Sequence, residues 1–187
     1  MRCVLAVLVA TILLFPACGS PTEPSGSASF NVMITDSPFS DAKAVLVTFS
    51  EVSAHVADSD WKTVAFSGGS SARTCDLKKL QGPQDVLGVG ALTPGHYTQI
   101  RLVVSKAVIY FDNASSGSAC ATTIDAPAGR NANLEIPSGE VKLNREFDLA
   151  ATDATTIVLD FDGEKSIHET GSGRYMMSPV IGVVSVK

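Results

Sequence analysis

Beyond residue 29 the chain alternates. Phe30, Val32 and Ile34 are separated by Asn31, Met33 and Thr35, the period-two pattern of a strand with one buried face. In the next apolar stretch, Val45, Val47 and Phe49 mark one face, and then Val52, Ala54 and Val56 mark the other, so the phase slips by one near Ser50-Glu51. A slip turns a strand over unless an extra residue is absorbed, which predicts a β-bulge or a strand crossing between sheets. Val45, Phe49, Val52 and Val56 also fit a helical stripe, but the β-branched content favours strand. Tyr97 to Phe111 behaves in the same way: Ile100, Leu102 and Val104 share a face, and Ala107, Ile109 and Phe111 take over on the other.

Further on, Val141, Leu143, Phe147 and Leu149 alternate with polar residues, with Asn144-Arg145 read as a turn, and Ile157, Leu159 and Phe161 alternate with Val158, Asp160 and Asp162. Met176 to Val186 is almost wholly apolar, as for a strand covered on both faces. Only Asp76 to Gln81 reads as a helical turn. Many short strands separated by Gly, Pro, Asn and Asp predict an all-β fold, a β-sandwich of roughly seven to nine strands.

The first thirty residues have another character. Met1-Arg2 leads into an apolar run from Val4 to Phe15 broken only by Thr11, about a dozen residues where a spanning helix needs ~20. A charged start, a short apolar core and a step to small residues is the layout of a secretory signal peptide. The step ends in Pro16-Ala17-Cys18-Gly19, which resembles a bacterial lipobox. That resemblance implies cleavage before Cys18, with acyl chains on this cysteine supplying a stable membrane anchor. Gly19 to Ser29 is small and polar, with Glu23 its one charge, and reads as a flexible tether of about 36–40 Å at full extension. The organisation expected is therefore a lipoprotein signal peptide over 1–17, a lipidated cysteine and tether over 18–29, and one sandwich domain over 30–187. Gly19 after the cysteine resembles lipoproteins sent on to the outer membrane, which sets the expected location at the bacterial cell envelope.

Cleavage leaves about 170 residues, enough for one domain with its own core. It also removes Arg2, making the chain one unit more negative than its formal −5. An acidic surface repels phosphate backbones and anionic headgroups, so nucleic acid is not an expected partner and adhesion to lipid falls to the anchor.

Six stretches carry a wider resemblance: ITDSP (Ile34 to Pro38), AVLVTFSEVSAH (Ala44 to His55), DLKKLQG (Asp76 to Gly82), PGHYTQIRLVV (Pro94 to Val104), IPSGEVKLN (Ile136 to Asn144) and LDFDGEKSIHETGSGRYMMSPVI (Leu159 to Ile181). Together they resemble the bacterial and archaeal family called domain of unknown function 4382. The resemblance implies a secreted or lipid-anchored surface domain and brings no activity with it. The Pro94-Gly95-x-Tyr97 turn separately resembles transthyretin-like and immunoglobulin-like sandwich modules, whose role is often spacing or adhesion. The loop from Asn113 to Thr123, with Cys120, departs from the family pattern.

In an oxidising compartment the remaining pair, Cys75 and Cys120, is expected to be bridged, a closure of ~45 residues that gains about 4 kcal/mol in the chain-entropy model. Asp160 and Asp162 lie on one strand face, Glu164 and His168 follow, and Asp36 ends the first strand. Such a group can hold a hard cation such as calcium, although the spacing lacks the full calcium-loop register. Its plainer reading is a solvated face followed by an Asp-Gly turn. No other cofactor is expected. Trp61, the only tryptophan, is either a platform for a sugar ring or a cap on the end of the sandwich. His55, His96 and His168 show no zinc spacing, no Gly-x-Ser-x-Gly elbow occurs, and Gly88-x-Gly90 lacks the third glycine of a dinucleotide site. The reading is a non-enzymatic envelope module that spaces or binds a protein or polysaccharide partner. The alternative is a small-ligand binder for a cation at Asp160/Asp162 or a carbohydrate at Trp61, and a hydrolase with an unrecognised site stands third.

Overall fold

A computed structural model describes residues 26–37, 41–81, 85–152 and 154–186. Two β-sheets face each other across one apolar core, as an all-β sandwich requires. The smaller sheet holds β1 (Ala28–Ser37), β5 (Asp85–Leu92), β10 (Ala154–Asp162) and β13 (Ile181–Val186), in the order β13-β10-β1-β5. Within it β1 and β10 run parallel, and the other pairs are antiparallel. The larger sheet is built on the antiparallel pair β2 (Ala44–Val56) and β6 (Gly95–Tyr110). Along the free side of β2 lie β3 (Trp61–Val64) and β4 (Arg73–Asp76); along that of β6 lie β8 (Asn131–Glu135) and β9 (Glu140–Leu149). Beyond β4 comes β7 (Cys120–Ala121), and beyond β8 come β12 (Tyr175–Met177) and β11 (Ile167–Glu169). Several of these thirteen strands are only two to four residues long, too short to show as periodicity, which is why the alternation suggests fewer.

The phase changes in β2 and β6 are two bulges, one on each strand, flanking the Phe49–Val104 pair. Thr48 pairs with Lys106, Phe49 with Val104 and Glu51 with Val103, so Ser50 and Ser105 are each one residue too many. Both are exposed, and each hydroxyl donates across the pair, Ser105 Oγ to the Thr48 carbonyl at 3.3 Å and Ser50 Oγ to the Val103 carbonyl at 3.5 Å. On one side of the bulges Val45, Val47, Ala107 and Ile109 face the core; on the other Val52, Ala54, Ile100 and Leu102 do. The larger sheet also forks here, with β4 and β8 flanking one half and β3 and β9 the other.

The core of the second half is anchored by three stacked rings. Phe147 lies between Phe30 and Tyr97, with centroids 5.4 and 5.2 Å apart, and the Tyr97 hydroxyl donates to the Thr93 carbonyl at 2.8 Å. That bond satisfies the one polar atom the ring brings inside. Gly88 and Gly90 have a structural role: a Cβ on Gly88 would stand 3.2 Å from the Ala65 carbonyl oxygen, and this close approach lets Val89 N–H donate to Ala65 at 2.8 Å. The bond joins β5 to the segment after β3 and covers an edge of the smaller sheet.

Two expectations need correction. β9 runs through Asn144-Arg145 without turning, since Phe147 pairs with Tyr97 and Asn144 with Gln99, which leaves a bulge. The apolar stretch from Met176 to Val186 is two strands in different sheets, broken at Ser178-Pro179, where proline supplies no N–H to a ladder. β1 begins at Ala28, which is buried but too small to register as part of the alternation. The helical turn expected from Asp76 is present as a 3-10 turn over Leu77–Lys79, and a second single turn, α1 (Gly163–Ser166), follows β10.

Deleting Ser50 puts the side chains of half of β2 on the wrong face and should cost more than ~4 kcal/mol, the range of core disruption. Ser50→Ala, which keeps the extra residue, should cost no more than about 0.5 kcal/mol, the usual range for a surface change. Urea unfolding of both variants checks this; equal losses would refute the role given to the bulge.

Candidate functional site

The strand registers give the sandwich two distinct ends. Ala28, Leu92 and Ala154 meet at one, where Gly26 also lies against Ala151 and Pro94. Asp36, Leu80 and Gly163 meet at the other. Most of the acidic residues singled out in the sequence reach this second end, in different states.

Asp36 pairs across the parallel ladder with Phe161, while Asp160 pairs with Thr35. Paired residues share a face, so Asp36 turns toward the core and Asp160 and Asp162 turn away from it. The Asp36 carboxylate accepts one backbone donor, Gly163 N–H at 3.2 Å. Burial pushes its pKa up to about 8; the Gly163 bond and Lys78 oppose this, and the charges of Asp160 and Asp162 add to it. Asp162 caps α1, accepting Lys165 N–H at 3.0 Å and the Lys165 ammonium at 2.6 Å, and that ammonium holds its carboxyl below the usual range. Ser166, fully buried, donates to the Asp162 carbonyl and accepts Val180 N–H at 2.8 Å, fastening the turn to the start of β13. Glu164 is exposed on α1, and His168 is carried off to β11, exposed and opposite Met176. The positions weighed for a cation therefore do not converge. Asp36 faces inward, Asp162 is spent as a cap, His168 belongs to the other sheet, and among the described residues no three His, Cys, Asp or Glu side chains are arranged to hold a metal ion.

Cys75 and Cys120 are joined by a disulfide linking β4 to β7. Beside it Asp76, fully buried, accepts Val45 N–H and Lys78 N–H at 3.1 Å on one oxygen and the Ser115 hydroxyl at 2.6 Å on the other. One carboxylate thus fixes the start of β2, the 3-10 turn and the loop ahead of β7. Arg73 Nη2 donates to Asp85 Oδ1 at 3.2 Å and to the Cys120 carbonyl at 3.3 Å, while Asp85 Oδ2 accepts Cys120 N–H at 3.1 Å. The segment after β7 folds back over the outer face of β2 and β6. There Ile124 packs on a second apolar cluster, Ala44, Leu46, Val108 and Tyr110, which sequence alternation places on the solvent side of the strands.

Trp61 stands on the outer face of the other half, in a cross-strand row with His55, Gln99 and Asn144. It caps no core. The Arg101 guanidinium lies 4.4 Å from its ring centroid, His55 tilts against it at 5.0 Å, and Arg101 also binds Glu51 at 2.5 Å and Ser53 at 3.2 Å. Arg101 in turn lowers the Glu51 carboxyl below its usual range. A sugar stacking on that side of the indole would displace the guanidinium. Two pairs here went unread in the sequence: His96 Nδ1 with Asp148 Oδ1 at 2.8 Å, and Gln99 with Asn144 at 2.9 Å. Both are cross-strand neighbours, visible only once the β6–β9 register is known.

Asp36 generates a pH prediction. Its folded pKa of about 8 lies above the unfolded 3.8, so the native state holds a proton that the unfolded chain releases. Its contribution to stability is complete below about pH 4 and is lost as pH rises toward 8, by at most ~1.4 kcal/mol per unit. Asp36→Asn should stabilise the protein at pH 8 and remove this slope relative to wild type. Chemical unfolding at several pH values checks it, and parallel profiles for the two proteins would contradict it.

The curated proteins and the solved structures compared with the chain contain no match. The model of one family, described as domain of unknown function (DUF4382), matches residues 27–179, from just before β1 to the break ahead of β13. Over that span, which takes in the stacked rings, the paired bulges and the disulfide-linked loop, the chain belongs to the DUF4382 family.

Proposed function

We propose that this chain is a lipid-anchored module of the bacterial cell envelope that acts by binding a protein or polysaccharide partner. The observation that carries the reading is the Cys75–Cys120 disulfide. Such bonds persist in oxidising compartments, where the apolar leader and its lipobox-like end would deliver the chain. Cys18 and the leader lie outside the described residues, so the anchor rests on the sequence alone. The polarity of the sandwich supports the same reading: the chain enters β1 at the end that holds Gly26, Pro94 and Ala151, and the loop held by Cys120 and Asp76 lies toward the opposite end. The residues between Cys18 and Ala28, which reach about 30–32 Å at full extension, would let that loop stand clear of a lipid surface. Gly19 after the cysteine favours the outer membrane.

The test is Cys18→Ser in a bacterial host. Wild type should partition into the detergent phase and take up labelled palmitate, and the variant should lose both properties, because acyl chains supply the anchor. An unmodified Cys18 in wild-type protein, seen by mass spectrometry of the N-terminal peptide, would overturn the proposal.

A further inference from the structure

The outer apolar cluster is buried, with one small gap left beside it. Between it and the returning segment lies a pocket of about 150 Å³, lined by Leu46, Thr48, Thr74, Lys106, Val108, Tyr110, Thr123, Ile124 and Ala126. Leu46 and Val108 form the floor, and Ile124 closes one side. A space of this size accepts one benzene-sized group. Its polar side is a single rung across three strands, because Thr74 pairs with Thr48 and Thr48 with Lys106. Neighbouring side chains on such a rung stand about 5 Å apart.

The chemistry of the rung is that of a donor set. Thr48 and Thr74 share one hydrogen bond at 2.9 Å, so whichever hydroxyl accepts keeps its own proton for a further partner. Lys106 is exposed at the rim and brings the only charge in the lining. Asp125, between two lining residues, is exposed and forms no part of the wall. On the next rung Asp76 already accepts two N–H groups and a hydroxyl. The pocket is thus a small cationic niche with a narrow apolar floor at Leu46 and Val108, below the ~300–1,000 Å³ of the usual small-ligand cleft and so suited only to a compact ligand.

We infer that this pocket binds a small carboxylate with a compact hydrocarbon body. The body sits on Leu46, Val108 and Ile124, one carboxylate oxygen meets the Lys106 ammonium, and the other takes the free proton of the Thr48–Thr74 pair. The disulfide holds the cover in place, since Thr123 follows Cys120 by three residues. The site does not depend on lipidation, so it stands or falls apart from the anchor.

The test titrates the full chain in detergent with benzoate, whose ring matches the cavity, and with benzamide, the neutral isostere. Calorimetry gives affinity, and methyl resonances of Leu46, Val108 and Ile124 give location. Benzoate should bind saturably and shift those methyls, benzamide should bind at least tenfold more weakly, and Lys106→Gln should weaken benzoate at least tenfold. Lys106 is exposed, so the variant keeps the fold, which an unchanged melting curve verifies. No saturable shift at those methyls, or equal affinity for benzamide or for the variant, overturns the inference.

Discussion

A strand whose apolar face must change sides partway needs one extra residue at the crossing, and two neighbouring strands that change together need one each. Ser50 and Ser105 meet that need on either side of the Phe49–Val104 pair, so β2 and β6 stay paired from Ala44 to Val56 while both turn over. Everything in the larger sheet follows from this crossing. It sends β4 and β8 one way and β3 and β9 the other, and it brings the apolar faces of both halves onto the four strands of the smaller sheet. A ladder without bulges would expose either Val45 and Val47 or Val52 and Ala54, side chains worth about 1.5–3 kcal/mol each for the larger ones.

The half that carries β4 and β8 pays for its position with an apolar outer face, which the segment after Cys120 covers. Polar groups fix that cover, and the two buried acids nearby show how differently burial can be met. Asp76 accepts three donors and holds three pieces of chain in register. Asp36 is buried with one donor, Gly163 N–H, among the described residues, and Asp160 and Asp162 repel its charge, so it keeps its proton to a high pH. A buried carboxyl with few donors and acidic neighbours is driven toward its neutral form.

Much of this was legible in the sequence, where strict period two encodes a face and its interruption encodes a crossing. The phase slip at Ser50-Glu51 and the inward run of Phe30, Val32 and Ile34 needed no coordinates. The Cys75–Cys120 bridge matches an expectation drawn from the cysteine count and from the oxidising compartment that the leader implies. What remained hidden depends on register. That Asp36 and Asp160 point to opposite faces rests on a parallel ladder between strands more than a hundred residues apart. The pocket rung of Thr74, Thr48 and Lys106 is assembled from three strands, and its cover from a loop with no periodicity. The break at Pro179 was available from proline alone but was masked by the apolar residues around it.

The central claim is the paired crossing, and cross-strand nuclear Overhauser contacts between β2 and β6 measure it most directly. The account predicts side-chain contacts on the core side from Val47 to Ala107 and again from Val52 to Leu102, with Ser50 and Ser105 outside the pairing. One uninterrupted ladder from Ala44 to Val56, with Val52 and Ala54 on the solvent side, would contradict it.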